Sequence, residues 1–266
     1  MTVESAAPLA DACAPPVRFH EQLRVERVYD GDTVQLVDGR RLRLIGLDTP
    51  ERGRDERPAE PFAEDARAAL TRLLKEQGWE LRLVFDHERF DHHGRTLAHA
   101  FAIDGRPVAA WLLEQGLAVA LTVPPNDAWL GCYRGAEARA RDARSGLWAL
   151  VEYRVWDAAC FNDPRGCVLR EATEVREELL TALDPGNDGF RIVKGEVERV
   201  GRSRQSWWLN LKGGLALRID HDDMQYFPGL EPETLEGRQV TARGRLYRHR
   251  DQPRMRIRHP ADLQFD

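Results

Sequence analysis

The sequence predicts an α+β chain in which β structure dominates: a five-stranded barrel with three helices, followed by a second small β-barrel domain. Three observations predict it. Runs with apolar residues at alternate positions crowd the first hundred residues. Helical spacing appears in three places, each closed by a glycine. After a stretch without a period, β-rich runs return beyond residue 190.

Residues 1–19, rich in Ala and Pro, read as an N-terminal arm. Alternation over 23–28, 33–37 and 42–45 gives three strands. Asp38-Gly39, a pair that tolerates positive φ at both positions, makes the last two an antiparallel hairpin. After a polar stretch over 50–61, Ala66, Ala69, Leu70, Leu73 and Leu74 follow helical spacing as far as a stop at Gly78. Strands over 80–85 and 96–103 turn around Gly94, and helices over 107–115 and 128–144 end at Gly116 and Gly146. A small barrel accommodates that order, most commonly the oligonucleotide-binding (OB) type, which here fills residues 20–150. Residues 151–188 read as a linker with a short helix over 172–183. Runs at 192–200, 207–211, 215–219, 239–247 and 255–257 define an OB-like β domain over 189–266.

A length of 266 residues and an apolar share of 42% suffice for buried cores, so wholesale disorder is not expected. No run reaches the roughly 18 apolar residues of a membrane helix, which predicts a soluble protein, expected to be a monomer. The net charge of −5 hides a split. From Phe190 onward 15 Lys and Arg face 11 Asp and Glu, leaving −9 for residues 1–189. An acidic body suits a metal site built from carboxylates and disfavours tight non-specific grip on duplex DNA. Cys13, Cys132, Cys160 and Cys167 show no two-residue spacing, so zinc-ribbon and redox uses of sulfur are not expected. Their even number and the short 160–167 loop permit one or two disulfides. With Ala10-Asp11-Ala12 resembling the end of a signal peptide, this points to a periplasmic or secreted protein, with the cytoplasm as the alternative.

Hydrolysis of a phosphodiester needs a nucleophilic water, a cation to offset charge on the phosphate oxygens, and donors that hold those oxygens in line. Carboxylates and arginines are the expected parts. Asp30-Gly31-Asp32-Thr33 places two acids at a strand end, and Asp48-Thr49-Pro50-Glu51 places two more after the third strand. Arg43 lies between them, and Asp91-His92-His93-Gly94-Arg95 follows. Singly, each piece also fits an ordinary turn or a solvated face. Their combination and spacing carry the signal.

In that combination residues 22–148 resemble the staphylococcal-type thermonuclease family. The resemblance rests on Asp30-Gly31-Asp32-Thr33-Val34, on Arg43-Leu44-Ile45-Gly46-Leu47-Asp48-Thr49-Pro50-Glu51, on Asp91-His92-His93-Gly94-Arg95 and on Gly146-Leu147-Trp148. It implies a five-stranded OB barrel with three helices and a calcium-dependent nuclease acting on DNA or RNA that leaves 3′-phosphate and 5′-hydroxyl ends; single strands are expected to be preferred, because a small barrel face engages splayed bases better than a duplex. It also implies that Asp32 and Asp48 ligate Ca²⁺ with the Thr49 carbonyl, and that Glu51 orients or deprotonates the attacking water. Arg43 and Arg95 would grip the phosphate. Where family members carry Lys-Tyr before the Gly-Arg pair, this chain has His92-His93, and it lacks tyrosines near Leu121 and Val123. His92 and His93 stand as substrate contacts or as a solvated loop.

Other readings meet obstacles. Asp91-His92-His93 spells the signature of two-manganese phosphoesterases, whose fold needs further Asp motifs on alternating strands and helices. An EF-hand starting at Asp30 would need Glu at its twelfth position, where Arg41 stands. A non-catalytic binding module on the same fold is the remaining alternative. In the C-terminal domain, which resembles a barrel appended to some bacterial relatives, Trp207 and Trp208 beside Arg202 and Arg204 suggest a stacking platform for substrate, against a reading of one core and one surface Trp.

Overall fold

The computed structural model describes residues 13–53, 58–161, 189–250 and 252–266, which divide into two compact units at residues 149 and 150. In the first, strands β1 (Glu21–Val28), β2 (Thr33–Leu36), β3 (Arg41–Leu44), β5 (Glu80–Val84) and β6 (Thr96–Phe101) close a barrel in the order β1-β2-β3-β6-β5. All neighbours are antiparallel except β3 and β6. Inward residues such as Val34, Leu36, Leu42, Leu44, Leu81 and Leu83 alternate with outward polar ones, as a closed sheet with one wet face requires. Helix α1 (Ala63–Glu76) covers this core with Ala66, Leu70, Leu73 and Leu74. Helices α2 (Val108–Glu114) and α3 (Leu130–Asp142) pack on each other beside it.

The hairpin between β2 and β3 differs from the two-residue turn that Asp38-Gly39 suggested. Gly39 alone takes positive φ, at +90°, while its N–H donates to Leu36 O and Leu36 N–H donates to Arg40 O. The loop therefore spans Val37, Asp38 and Gly39, with glycine at the left-handed position that closes a three-residue connection. A disulfide between Cys13 and Cys132 ties the start of the described chain to α3. The Cys160–Cys167 pairing and the helix over 172–183 fall outside the described residues.

Two further strands escaped the sequence reading because each is two residues long. Strand β4 (Leu47–Asp48) pairs antiparallel with β7 (Val119–Ala120), Asp48 opposite Val119. The buried Glu137 carboxylate on α3 accepts the Ala120 N–H at 2.7 Å and pins this small sheet.

Residues 151–161, which the sequence suggests as the start of a linker, contain two 3₁₀ turns around β8 (Val155–Asp157), a strand parallel to β9 (Phe190–Arg202). They had shown no period because only Trp156 of that strand is buried. In the second unit β9, β10 (Ser206–Leu211), β11 (Ala216–Asp220), β12 (Gln239–His249) and β13 (Gln252–Arg256) also close on themselves. The ring runs β9-β10-β11-β13-β12 and back to β9, with β11 and β13 parallel, and β14 (Leu263–Phe265) extends β12. Both units thus use one strand order, first-second-third-fifth-fourth, with third and fifth parallel. That is the OB arrangement in each case.

Candidate active site

The carboxylate of Asp32 lies where β2 begins, and the backbone fixes it there. Asp32 O accepts the Leu44 N–H at 2.8 Å, and Asp30 Oδ1 accepts the Asp32 N–H at 3.1 Å. Gly31 has no room for a side chain, since a Cβ there would lie 2.6 Å from Thr49 Cγ2 and 2.8 Å from Ala66 Cβ. The loop after β4 therefore packs directly on the loop before β2. Asp32 Oδ2 accepts hydrogen bonds from the Thr49 N–H and hydroxyl, each at 3.0 Å, while Oδ1 accepts from the Thr33 hydroxyl at 3.0 Å.

Arg43 reaches across from β3 and joins the two acids. Nη1 stands 2.6 Å from Asp32 Oδ2, and Nη2 donates to Asp48 Oδ1 at 2.9 Å. Burial works to lower the Arg43 pKa but is outweighed by Asp32, Asp48, Asp30 and Glu51, in that order, so the guanidinium is held charged. Burial raises the Asp32 carboxyl above its ordinary value, with a further push from Asp30 and against the pull of Arg43 and the Thr49 N–H. Four carboxylates thus act on one buried cation, and the surplus is negative. Asp30, quoted in the motif but given no role from the sequence, belongs to this field.

Glu51 lies on an exposed loop whose backbone is held by Glu60: the Glu51 N–H donates to Glu60 Oε2, and the Glu60 N–H to Glu51 O, both at 2.9 Å. Arg95 immediately precedes Thr96, the partner of Leu42 across β3 and β6. Alternation therefore puts Arg95 and Arg43 on the outward face of neighbouring strands. Asp91 engages Arg95 through Nε alone, at 2.6 Å, and accepts its backbone N–H at 2.9 Å. Burial would raise the Asp91 carboxyl, yet its hydrogen bonds with Arg95 bring it below the usual range. Asp91 thus fixes where the Arg95 side chain sits, a contact that sequence reasoning passed over; the signal was an acid four residues before the arginine across a Gly94 turn.

His92 and His93 sit exposed at the tip of that turn with ring centroids 3.8 Å apart, and their ring contact is with each other. In the second unit Trp207 packs against the barrel core with Arg202 5.0 Å from its ring centroid. Trp208, on the opposite face of β10, stands 4.6 Å from the Arg254 guanidinium and 5.9 Å from that of Arg218. The structure thus brings together Asp32, Arg43, Asp48 and Thr49, with Arg95 on the same face, and keeps the two tryptophans in a separate unit.

An OB barrel carrying acids and guanidinium groups on one rim presents donors whose forked geometry matches phosphate oxygens. Residues 41–150 match the family described as staphylococcal nuclease homologue. The chain is 36% identical over 131 residues to the thermonuclease of Staphylococcus intermedius, a match covering 48% of this chain and 76% of that protein. It is 34% identical over 158 residues to the SPbeta prophage-derived endonuclease YokF of Bacillus subtilis, covering 58% and 51%, and 32% identical over 134 residues to the endonuclease YncB of the same species, covering 48% and 62%. It spans only half to under two thirds of the latter two relatives. The chain belongs to the staphylococcal nuclease homologue family.

Proposed function

We propose that the chain is a nuclease that hydrolyses phosphodiester bonds of DNA or RNA with Ca²⁺ bound at Asp32, Asp48 and the Thr49 carbonyl, leaving 3′-phosphate and 5′-hydroxyl ends. The observation that carries this reading is Arg43 standing between two carboxylates, at 2.6 and 2.9 Å, in a field of four acids. The donors are hard oxygens, as calcium prefers. The buried guanidinium is the charge both acids turn to, in the position a divalent cation would neutralise. Among the described residues no three His, Cys, Asp or Glu side chains group as a metal cage, so such an ion would complete its shell from backbone, water and substrate oxygens.

When bound, the ion supplies charge neutralisation and polarisation of a phosphate oxygen. Arg43, with the planar fork of its guanidinium, would match two phosphate oxygens, and Arg95 would present its terminal nitrogens from the next strand. Glu51 orients the attacking water. The water oxygen bonds to phosphorus as the P–O5′ bond breaks, the water's proton passes to Glu51 or to solvent, and the 5′-oxygen takes a proton from solvent to leave as the hydroxyl. Small OB surfaces engage splayed bases, which supports a preference for single strands. In the second unit, Trp208 against Arg254 supports a strand-binding platform of the same chemistry. The Cys13–Cys132 disulfide supports an oxidising compartment, periplasmic or extracellular.

The test is digestion of single-stranded DNA, duplex DNA and RNA in Ca²⁺ and in EGTA, with end-group analysis. Cleavage confined to Ca²⁺, fastest on single strands and leaving 3′-phosphates, is the expected outcome; equal rates in EGTA would defeat the metal assignment.

A further inference from the structure

Barrel one carries a second pair of cations that the reaction does not use. Cross-strand register sets Arg27, Gln35 and Arg41 in one row over β1, β2 and β3. Tyr29 lies across that row: its hydroxyl donates to Gln35 Oε1 at 3.0 Å, and the Arg27 and Arg41 guanidinium groups stand 5.1 and 5.0 Å from its ring centroid. The Tyr29 carbonyl accepts from Arg52 Nη1 at 2.9 Å, which ties this turn to the Glu51 loop.

Some exposed arginines of the unit are neutralised by a neighbouring carboxylate. Arg52 pairs with Glu64 and Arg106 with Asp104. Arg27 and Arg41 are exposed as well, yet among the described residues neither forms an ion pair. Two like charges drawn to one aromatic ring gain about 0.5–1 kcal/mol each and repel one another, so stability gives little reason for the arrangement. Arg41 and Arg43 are two residues apart on β3, hence on one face and about 6.6 Å apart along the strand. The unneutralised pair therefore continues directly from the guanidinium assigned to the scissile phosphate.

We propose that Arg27 and Arg41, positioned by Tyr29, form a second phosphate subsite that holds the phosphodiester next to the one being cleaved. Its ligand class is a single-stranded polynucleotide with at least two successive phosphates. The inference rests on the nuclease reading for the first phosphate, and binding can be measured without cleavage.

The probe is a fluorescein-labelled oligothymidylate, with anisotropy recorded in EGTA over a salt series. Arg27→Gln/Arg41→Gln should raise Kd about tenfold or more. It should also flatten the plot of log Kd against log salt by about 1.4, two contacts at roughly 0.7 each. Tyr29→Leu should raise Kd part of the way, and Arg106→Gln, an exposed arginine off this row, serves as the charge control. In Ca²⁺ the double variant should lose at least fivefold more kcat/KM on the oligonucleotide than on a dinucleoside monophosphate. Wild-type Kd and slope in the double variant, a loss matched by Arg106→Gln, or no wild-type binding at low salt would each overturn the subsite. Variant-sensitive binding without any cleavage would overturn the nuclease reading and leave the subsite standing.

Discussion

The ring of Tyr133 fills the space that a side chain at Gly46 would need: a Cβ built there would meet Tyr133 Cε2 at 2.0 Å. Gly46 also holds φ +92°, a conformation that glycine adopts freely, and its carbonyl accepts the Leu121 N–H at 3.2 Å. Asp48 follows two residues later, so one close packing contact sets the entry to the acid-bearing strand. Gly46→Ala combines left-handed strain with overpacking against a buried ring and should cost about 2–4 kcal/mol in urea unfolding. Its kcat/KM should fall further than the folded fraction explains. Wild-type stability in this variant would refute the clamp.

Arg43→Lys tests the fork. A lysine ammonium is a point charge and cannot bridge Asp32 and Asp48 or grip two phosphate oxygens in plane. Under saturating Ca²⁺, kcat should drop by about 10²–10³ with a smaller change in KM, since the lost donors act on charge that grows in the transition state. A kcat within threefold of wild type would remove Arg43 from that role.

Much of this was legible in the sequence, and the part that was not has physical reasons. Barrel strands announced themselves through alternating apolar and polar residues, with one face buried and the other wetter, as in Arg41–Leu44. Asp32, Arg43 and Asp48 were legible because their spacing within motifs is short. The two-residue strands Leu47–Asp48 and Val119–Ala120 left no periodic trace, and their anchor, Glu137, reads as one more polar helix residue until its burial is known. Arg27, Tyr29 and Arg41 meet only through register, and a bulge in β1 between Val25 and Arg27 puts that register beyond simple alternation.

Behind Tyr133 lies a chain of buried polar groups whose pH dependence is testable. His99 is 1% exposed; in its neutral tautomer Nε2–H donates to Asp86 Oδ2 at 3.2 Å and Nδ1 accepts from the Tyr133 hydroxyl at 2.7 Å. Burial pushes the Tyr133 hydroxyl pKa up, with the Asp86 charge adding to the rise, so it remains a donor. Burial would also raise Asp86, but hydrogen bonds from His99, the Ala128 N–H and the His87 N–H hold it below the usual carboxylate range. A depressed folded-state value contributes stability above the unfolded pKa of about 3.9 and loses it as pH falls through the lower, folded one. Asp86→Asn should therefore destabilise by about 1–3 kcal/mol at pH 7, measured by urea unfolding, with the gap closing below about pH 4. A gap unchanged between pH 7 and pH 3 would show that the charge of Asp86 is not what stabilises the fold.

The second barrel offers the last test. Leu209 and Leu211 are buried, so alternation along β10 turns Trp207 inward and Trp208 outward. Ser203 Oγ accepts from Trp208 Nε1 at 3.3 Å, and Arg254 meets the ring while its other contact is Gln252 Oε1, a neutral acceptor. Arg218 is different: its charge is engaged by Asp220, which burial would raise but Ser206 and Arg218 hold down. One indole and one guanidinium that has no carboxylate partner among the described residues are therefore presented together, on the strand faces with which OB folds engage oligonucleotides. Trp208→Ala should raise KM for a long single strand by about five- to a hundredfold, the worth of one stacked base, and leave the thermal midpoint within a few degrees because the residue faces outward. Trp207→Ala should instead destabilise the fold, since that ring packs on the core. An unchanged KM in Trp208→Ala would confine substrate binding to the first barrel.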